Sequence, residues 1–395
     1  MGNIEEAKIA AALRQHAGKL RGHPLCEIGK QGKIDPCQLL FLLALCAILN
    51  QSPEYACPHS GFSADALYYH LNDLSLDRIE EILKQFVYGK ELKLLRRRRP
   101  MRQVILAIDY TDEMYYGERP CEGVVGTKHK AGSNWARRYL TIKLVNTDGP
   151  FMLWAAPMKD RKCTPELLEA GLRAVERMGL HPHLLLLDRE FNSGEILDFV
   201  GLRYQYIIPS DHDGKFYRRA KGLRLPAIIY HWEVGGVETQ LVIIEEEKKK
   251  YGYLTNIPKQ MFVDDVDYLS DTYSMRWAIE SGFRDAAKFS VPTNAKGLSA
   301  RYLYFCVSLL VYNFWAWINL FMGWQICKPK HLVLEKLREL LAPVIDGFLR
   351  KVVESDWWVP AKLTGALEER VFSPEKAKGG DAAGAPPPIK FLSNP

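Results

Sequence analysis

Three carboxylates stand out by their settings. Asp109 follows the wholly apolar run Val104 to Ile108, Asp188 follows another from Leu184 to Leu187, and Glu280 lies in the pattern Tyr273-x-x-Arg276-x-x-x-Glu280-x-x-x-Arg284. Carboxylates presented where buried strands emerge from a sheet stand where α/β folds put their chemistry. Spacings of three and four share one helix face, so Tyr273, Arg276, Glu280 and Arg284 are predicted to form one polar stripe, with Lys288 near it. Phosphoryl transfer explains the combination. Two divalent ions about 3.5 to 4 Å apart activate the attacking oxygen and stabilise the leaving one. Hard ions such as Mg²⁺ want oxygen ligands, which Asp109, Asp188 and Glu280 supply from separate elements. The helix cations would then position phosphates, and Tyr273 and Trp277 would stack on a displaced base.

Each feature has a plainer reading. Turns often begin with Asp, a solvated helix face carries i, i+4 ion pairs of a few tenths of a kcal/mol, and helix aromatics commonly pack in cores. Asp112, three residues beyond Asp109, competes with it as the first ligand, and the buried strand favours Asp109. Glu190 and Asp285 are close in sequence but have no role beyond a solvated or capping one.

The elements that must position these residues follow from periodicity. Residues 1 to about 95 read as helical, with an apolar run at Leu39 to Leu49, a helix after Ser63 carrying Tyr68, Tyr69 and His70, and another capped by Asp77 with Glu80 closing a capping box. Two such helices suit either packing or the reading of DNA. Arg96 to Arg99 and Pro100 form a junction, either a phosphate grip or a solvated face. Strands are expected at Val104 to Ile108, Arg138 to Val145, Phe151 to Ala156, His183 to Leu187 and Tyr204 to Ile208, with a helix from Pro165 to Met178. From Pro209 to Asp264 the pattern turns to strands at Ala227 to Val234, Thr239 to Glu246 and Tyr251 to Thr255, which reads as a β-rich insertion. Helices from about Val266 to Lys288 and Ala300 to Trp324 follow, and the tail, rich in Gly and Pro, reads as disordered.

Together these motifs resemble the DDE transposases of insertion sequences, in particular the IS-four-like superfamily with its Tyr-x-x-Arg-x-x-x-Glu signature, over roughly Ile105 to Trp324. Asp109-Tyr110-Thr111 with Tyr115-Tyr116-Gly117 is similar to the first element of that family, Asp188-Arg189-Glu190-Phe191 to its second, and Tyr312-Asn313-Phe314-Trp315 to a motif beyond the glutamate. Where the family commonly has Lys seven residues after Glu, Ala287 stands here. Arg284 instead fits a halobacterial ISH-three-type branch and takes the phosphate role before Lys288. The resemblance implies an α/β, RNase H-like catalytic core at 100–325, with a β-rich insertion at about 209–264 before the last catalytic helix. It also implies an α-helical DNA-binding domain at 1–99, a helical region at 326–373 and a disordered tail at 374–395. The implied catalytic and metal residues are Asp109, Asp188 and Glu280, with two divalent ions, Mg²⁺ or substituting Mn²⁺. Tyr273, Arg276, Trp277, Arg284 and Lys288 would contact DNA. The implied activity is cleavage at transposon ends and strand transfer into target DNA; a nuclease that does not join and a repurposed DNA-binding protein are the rivals. The partners would be double-stranded DNA, as terminal inverted repeats and target, and a second copy of the chain, with no small-molecule substrate.

Composition agrees. The 395 residues are 47% hydrophobic, enough for a large core, and a net charge of +6 suits a polyanionic partner without requiring one. Eight cysteines, at 26, 37, 46, 57, 121, 163, 306 and 327, form no Cys-x-x-Cys pair. Cys57-Pro58-His59 with Cys46 or Cys37 follows no common zinc spacing, so core thiols in a reducing cytosol are expected; the family resemblance implies a prokaryotic cytosol and association with the nucleoid. Met1 to Leu20 lacks the pattern of a signal peptide. Tyr302 to Trp324 has no charge and is long enough to span a bilayer, but Ser308, Asn313 and Asn319 favour a buried helix and no membrane.

Overall fold

The computed structural model describes residues 36–59, 63–71, 74–79, 104–145, 151–211, 213–262, 265 and 267–322. The expectations for Met1 to Leu20, Arg96 to Arg99, the region 326–373 and the tail lie outside the described residues. The chain divides into two compact units, one of residues 1–86, 128–134 and 286–395, the other of 87–127 and 135–285.

In the first unit, α1 (Pro36–Leu49), α2 (Pro53–His59), α3 (Ala64–Leu71) and α9 (Leu298–Met322) are helical, and α1 packs against α2 and α9. Leu42, Leu43, Leu45, Cys46 and Ala47 on α1 are buried, as are Leu303, Val307 and Leu310 on α9, so both helices lose apolar surface to water exclusion. Cys46 and Cys57 are buried and form no disulfide. Ser63 caps α3 by accepting from the Ala66 N–H. The cap expected at Asp77 falls instead to Ser75, whose Oγ accepts from the Arg78 N–H. No helix among the described residues is long and apolar enough to cross a membrane.

The second unit is mixed α/β around a nine-stranded mixed sheet. Its strands are β1 (Val104–Met114), β2 (Val124–Lys130), β3 (Ser133–Leu144), β4 (Phe151–Pro157), β5 (Pro182–Leu187), β6 (Gln205–Pro209), β7 (Ala227–Val234), β8 (Val237–Glu246) and β9 (Lys249–Thr255). The order is β2-β3-β1-β5-β6-β9-β8-β7, with β4 also on β3. β1, β5 and β6 are mutually parallel, and the remaining pairings described are antiparallel. The strands expected as an insertion therefore extend the main sheet: β9 pairs with β6 through Ile207 and Thr255. The β7–β8 turn uses Gly235 and Gly236, both at positive φ, the geometry a two-residue hairpin turn needs. Gly235 presents its carbonyl so close to Gly194 that a β-carbon there would clash with it.

Helices α4 (Pro165–Arg177), α5 (Gly194–Gly201), α6 (Gly214–Ala220), α7 (Tyr268–Ser274) and α8 (Trp277–Ala286) complete this unit. α4 opens on Thr164, which accepts from the Leu167 N–H, and has Pro at its first position, where a missing donor costs nothing. α4 and α8 take opposite faces of the sheet. A β-carbon on Gly171 of α4 would meet Ile142 and Trp154. On the other face, the buried Lys143 reaches from β3 to donate to the Ala278 carbonyl of α8 at 2.6 Å, and Gly282 leaves room for its ammonium.

Candidate active site

The register of the sheet brings the first two carboxylates together. β1 and β5 run parallel with Ile108 opposite Leu187, so Asp109 and Asp188 occupy the next rung. Asp188 leaves the sheet there, at the residue before a 3₁₀ turn, Arg189–Phe191, with no side-chain capping bond to it. β1 does not end at Asp109 as expected: it continues to Met114 because β3 pairs with it throughout, Asp109 facing Thr141 and Asp112 facing Arg138. Asp109 is consequently more enclosed, its side chain 13% exposed against 32% for Asp188.

Glu280 arrives from α8. The helix expected from Val266 to Lys288 is two helices, joined by a turn at Met275–Arg276 in which Met275, Arg276, Ala278 and Ile279 each donate to the carbonyl three residues back. The tighter turn carries Arg276 inward, so it is not part of a solvated stripe. Its guanidinium is the point on which the carboxylates meet. Nη1 donates to Asp109 Oδ2 at 2.8 Å, Nη2 donates to Glu280 Oε1 at 2.7 Å, and Nη2 lies 3.9 Å from Asp188 Oδ1. The Arg276 side chain is 9% exposed, and its buried Nε has no hydrogen-bond partner.

Burial pushes the Asp109 carboxyl up to about 7. Arg276 and the Tyr110 N–H, which donates to Asp109 Oδ1 at 2.7 Å, oppose that rise, while Asp188 and Glu280 add to it. Burial is the main cause, and the neighbouring carboxylates act in the same direction. Three carboxylates against one guanidinium leave two negative charges uncompensated when all are ionised.

That excess, made of oxygen donors, suits a hard divalent cation. Among the described residues no group of three or more His, Cys, Asp or Glu is placed to hold a metal ion, and the guanidinium bonds two of these carboxylates. Asp109, Asp188 and Glu280 fit a divalent ion by charge and donor type, provided Arg276 gives way.

The other residues singled out in the sequence are dispersed. Tyr273 is enclosed: its hydroxyl donates to the Leu187 carbonyl at 3.4 Å and its ring meets Tyr253, so it braces the end of β5 and offers no open platform for a base. Trp277 is 61% exposed at the start of α8. Arg284 is exposed, donating to Ser281 Oγ at 3.4 Å, and Lys288 falls beyond α8 in a 3₁₀ turn belonging to the other unit.

Asp112 is not a rival ligand. Residues three apart on a strand point to opposite faces, and Asp112 meets Arg138 instead. Arg138 Nε and Nη2 grip its two oxygens at 2.7 and 2.9 Å, Nη1 donates to Glu190 at 2.9 Å and to the Arg161 carbonyl at 3.0 Å, and Nη2 also donates to Thr127 at 3.2 Å. On the same face Tyr110 stacks on Phe191, ring centres 4.5 Å apart. These contacts tie the turn after Asp188 to the strand that carries Asp109. The roles of Arg138, Glu190 and Lys143 are not apparent from the sequence motifs; for Arg138 and Lys143 the available signal is a charged residue inside an otherwise buried strand, which must be paired.

No family model matches this chain, and no curated protein matches it. Among solved structures, the chain is distantly similar to the piggyBac transposase in a synaptic complex with hairpin DNA, at 13% identity and a TM-score of 0.47, over 96% of this chain and 84% of that one.

Proposed function

We propose that this chain is a metal-dependent phosphoryl-transfer enzyme acting on DNA, a DDE transposase with an RNase H-like core that cuts at transposon ends and joins the freed 3′-hydroxyls to target DNA. The observation that carries the reading is the meeting of Asp109, Asp188 and Glu280, from three separate elements, on one under-satisfied guanidinium. A structural ion pair needs no such surplus of acid.

In this reading Asp109, Asp188 and Glu280 hold two Mg²⁺ or Mn²⁺ ions. Bound there, the ions would supply activation of the attacking oxygen and stabilisation of the leaving one. Arg276 neutralises phosphate charge next to the carboxylates, and Arg284 adds a phosphate contact, which fixes register without reading sequence. Trp277, exposed beside Arg276, stacks on a displaced base. Tyr273 acts from behind, holding the β5 end through the Leu187 carbonyl. The helical N-terminal region binds the terminal inverted repeats, and two copies of the chain pair the two ends.

The test is incubation of the full chain with Mg²⁺ or Mn²⁺ and DNA carrying the inverted repeats that flank its gene, beside Glu280→Gln, with strands resolved on a denaturing gel. Cuts at the repeat boundary with joined products, both absent in the variant, are expected. Cuts without joining would reduce the activity to that of a nuclease, and binding without cleavage would overturn the enzymatic reading.

A further inference from the structure

We propose that Arg276 is a built-in counter-cation that holds the carboxylates before a divalent ion arrives and must release them when one binds, so that metal loading and liberation of the guanidinium are a single event. The proposal rests on the functional reading above and assigns Arg276 a role in the metal-free protein.

Three observations carry it. Arg276 bridges Asp109 and Glu280 with one nitrogen each, occupying an oxygen of both carboxylates. Its hold is incomplete: Asp188 is 3.9 Å away, beyond hydrogen-bond range, and the buried Nε donates to nothing. The arginine that grips Asp112 on β1, Arg138, has every donor placed. Finally, Arg276 sits in the turn between α7 and α8, outside either helix, so its side chain can be re-aimed without unwinding a helical turn. The released guanidinium, still beside the carboxylates, would be free for a phosphate oxygen, the anion whose geometry its fork matches.

If the guanidinium and the metal compete, the apparent affinity for metal is lowered by the fraction of molecules in which the arginine is bound to the carboxylates. The experiment is Mn²⁺ titration of the full chain without DNA, followed by the electron paramagnetic resonance signal of free Mn²⁺, for wild type, Arg276→Gln, Arg276→Lys and Asp109→Asn. Arg276→Gln should bind about tenfold tighter than wild type. Arg276→Lys keeps the charge but cannot bridge two carboxylates with a fork, and should fall between the two. In EDTA the thermal midpoint of Arg276→Gln should lie below wild type, and saturating Mn²⁺ should close the gap.

Equal affinity of Arg276→Lys and wild type would reduce the effect to charge alone and overturn the bridge. Unchanged or weaker binding by Arg276→Gln would overturn the proposal while leaving the catalytic reading intact, provided Asp109→Asn has lost the site. Wild-type binding by Asp109→Asn would instead sink the metal site itself. Should Arg276→Gln not fold, the comparison of Arg276→Lys with wild type decides by the same sign.

Discussion

Strand β1 carries an acidic cluster on each face, and the two differ in how completely their arginine is used. On one face Arg138 places all five N–H donors, on Asp112, Glu190, Thr127 and the Arg161 carbonyl. On the other, Arg276 makes two hydrogen bonds, with Asp109 and Glu280, and leaves its Nε orphaned. Both are buried arginines flanked by carboxylates, three residues apart on the strand they grip. The saturated fork has nothing left to offer a ligand, whereas the unsaturated one sits among more negative charge than it can balance. Satisfaction of donors, more than burial or the presence of an ion pair, separates the cluster that builds the fold from the cluster suited to chemistry.

The contrast is broken most directly through activity. Asp109→Asn or Glu280→Gln should lower strand cleavage by about three orders of magnitude, the scale on which loss of one member of a catalytic unit is felt, while circular dichroism stays that of wild type. Asp112→Asn should cut DNA within about tenfold of wild type per folded molecule, the lower end of what losing a supporting contact costs a metal site. If Asp112→Asn were as dead as Asp109→Asn, the division between the faces would be wrong.

The next test reverses the readout. Arg138→Met strands Asp112 and Glu190, and breaking a buried pair from one side costs about 3–5 kcal/mol, to be read from urea unfolding. Arg276→Met should lose less in the presence of Mg²⁺, because an ion can take over its carboxylates. Equal losses under that condition would erase the distinction.

Much of the positioning was legible in the sequence because apolar strands announce themselves. The run Leu184 to Leu187 is the end of β5, and Pro165 to Met178 is α4 within a residue. The β1 overrun was hidden because Tyr110 to Met114 is polar on both faces, its order supplied by β3 and by Arg138, not by hydrophobic alternation. β2, Val124–Lys130, is concealed for the same reason. The break at Met275–Arg276 was invisible because a spacing of three or four residues survives one tight turn. The pattern therefore found Arg276 and Glu280 as neighbours but placed the arginine on an outward stripe with Arg284, when it turns inward to Asp109. Convergence of the carboxylates came from the parallel register of β1 and β5, which no local spacing encodes.

A smaller effect sharpens the charge argument. The Asp109 carboxyl, ordinarily near 3.8, is pushed up to about 7 chiefly by burial. A folded-state pKa above the unfolded one means the native state binds the proton more tightly, so the metal-free protein should gain stability as pH falls from above 7 toward 4 and lose it as pH rises through 7. Thermal midpoints in EDTA at pH 8 and pH 5.5, taken as wild type minus Asp109→Asn to remove shared slopes, should show this gain. Saturating Mg²⁺ should reverse the slope, since the ion needs the carboxylate ionised. A flat difference in EDTA would mean that Arg276 and the Tyr110 N–H already offset the burial of Asp109.

The smallest effect separates bracing from contact with DNA. Tyr273→Phe keeps the ring against Tyr253 and removes only the hydroxyl that donates to the Leu187 carbonyl. The loss should be about 0.5–1.5 kcal/mol of stability. Because that hydroxyl holds the residue before Asp188, the variant should need several-fold more Mn²⁺ for half-saturation yet bind DNA at fixed salt as wild type does. A fall in DNA affinity with unchanged Mn²⁺ binding would instead make Tyr273 a backbone contact, despite its enclosure.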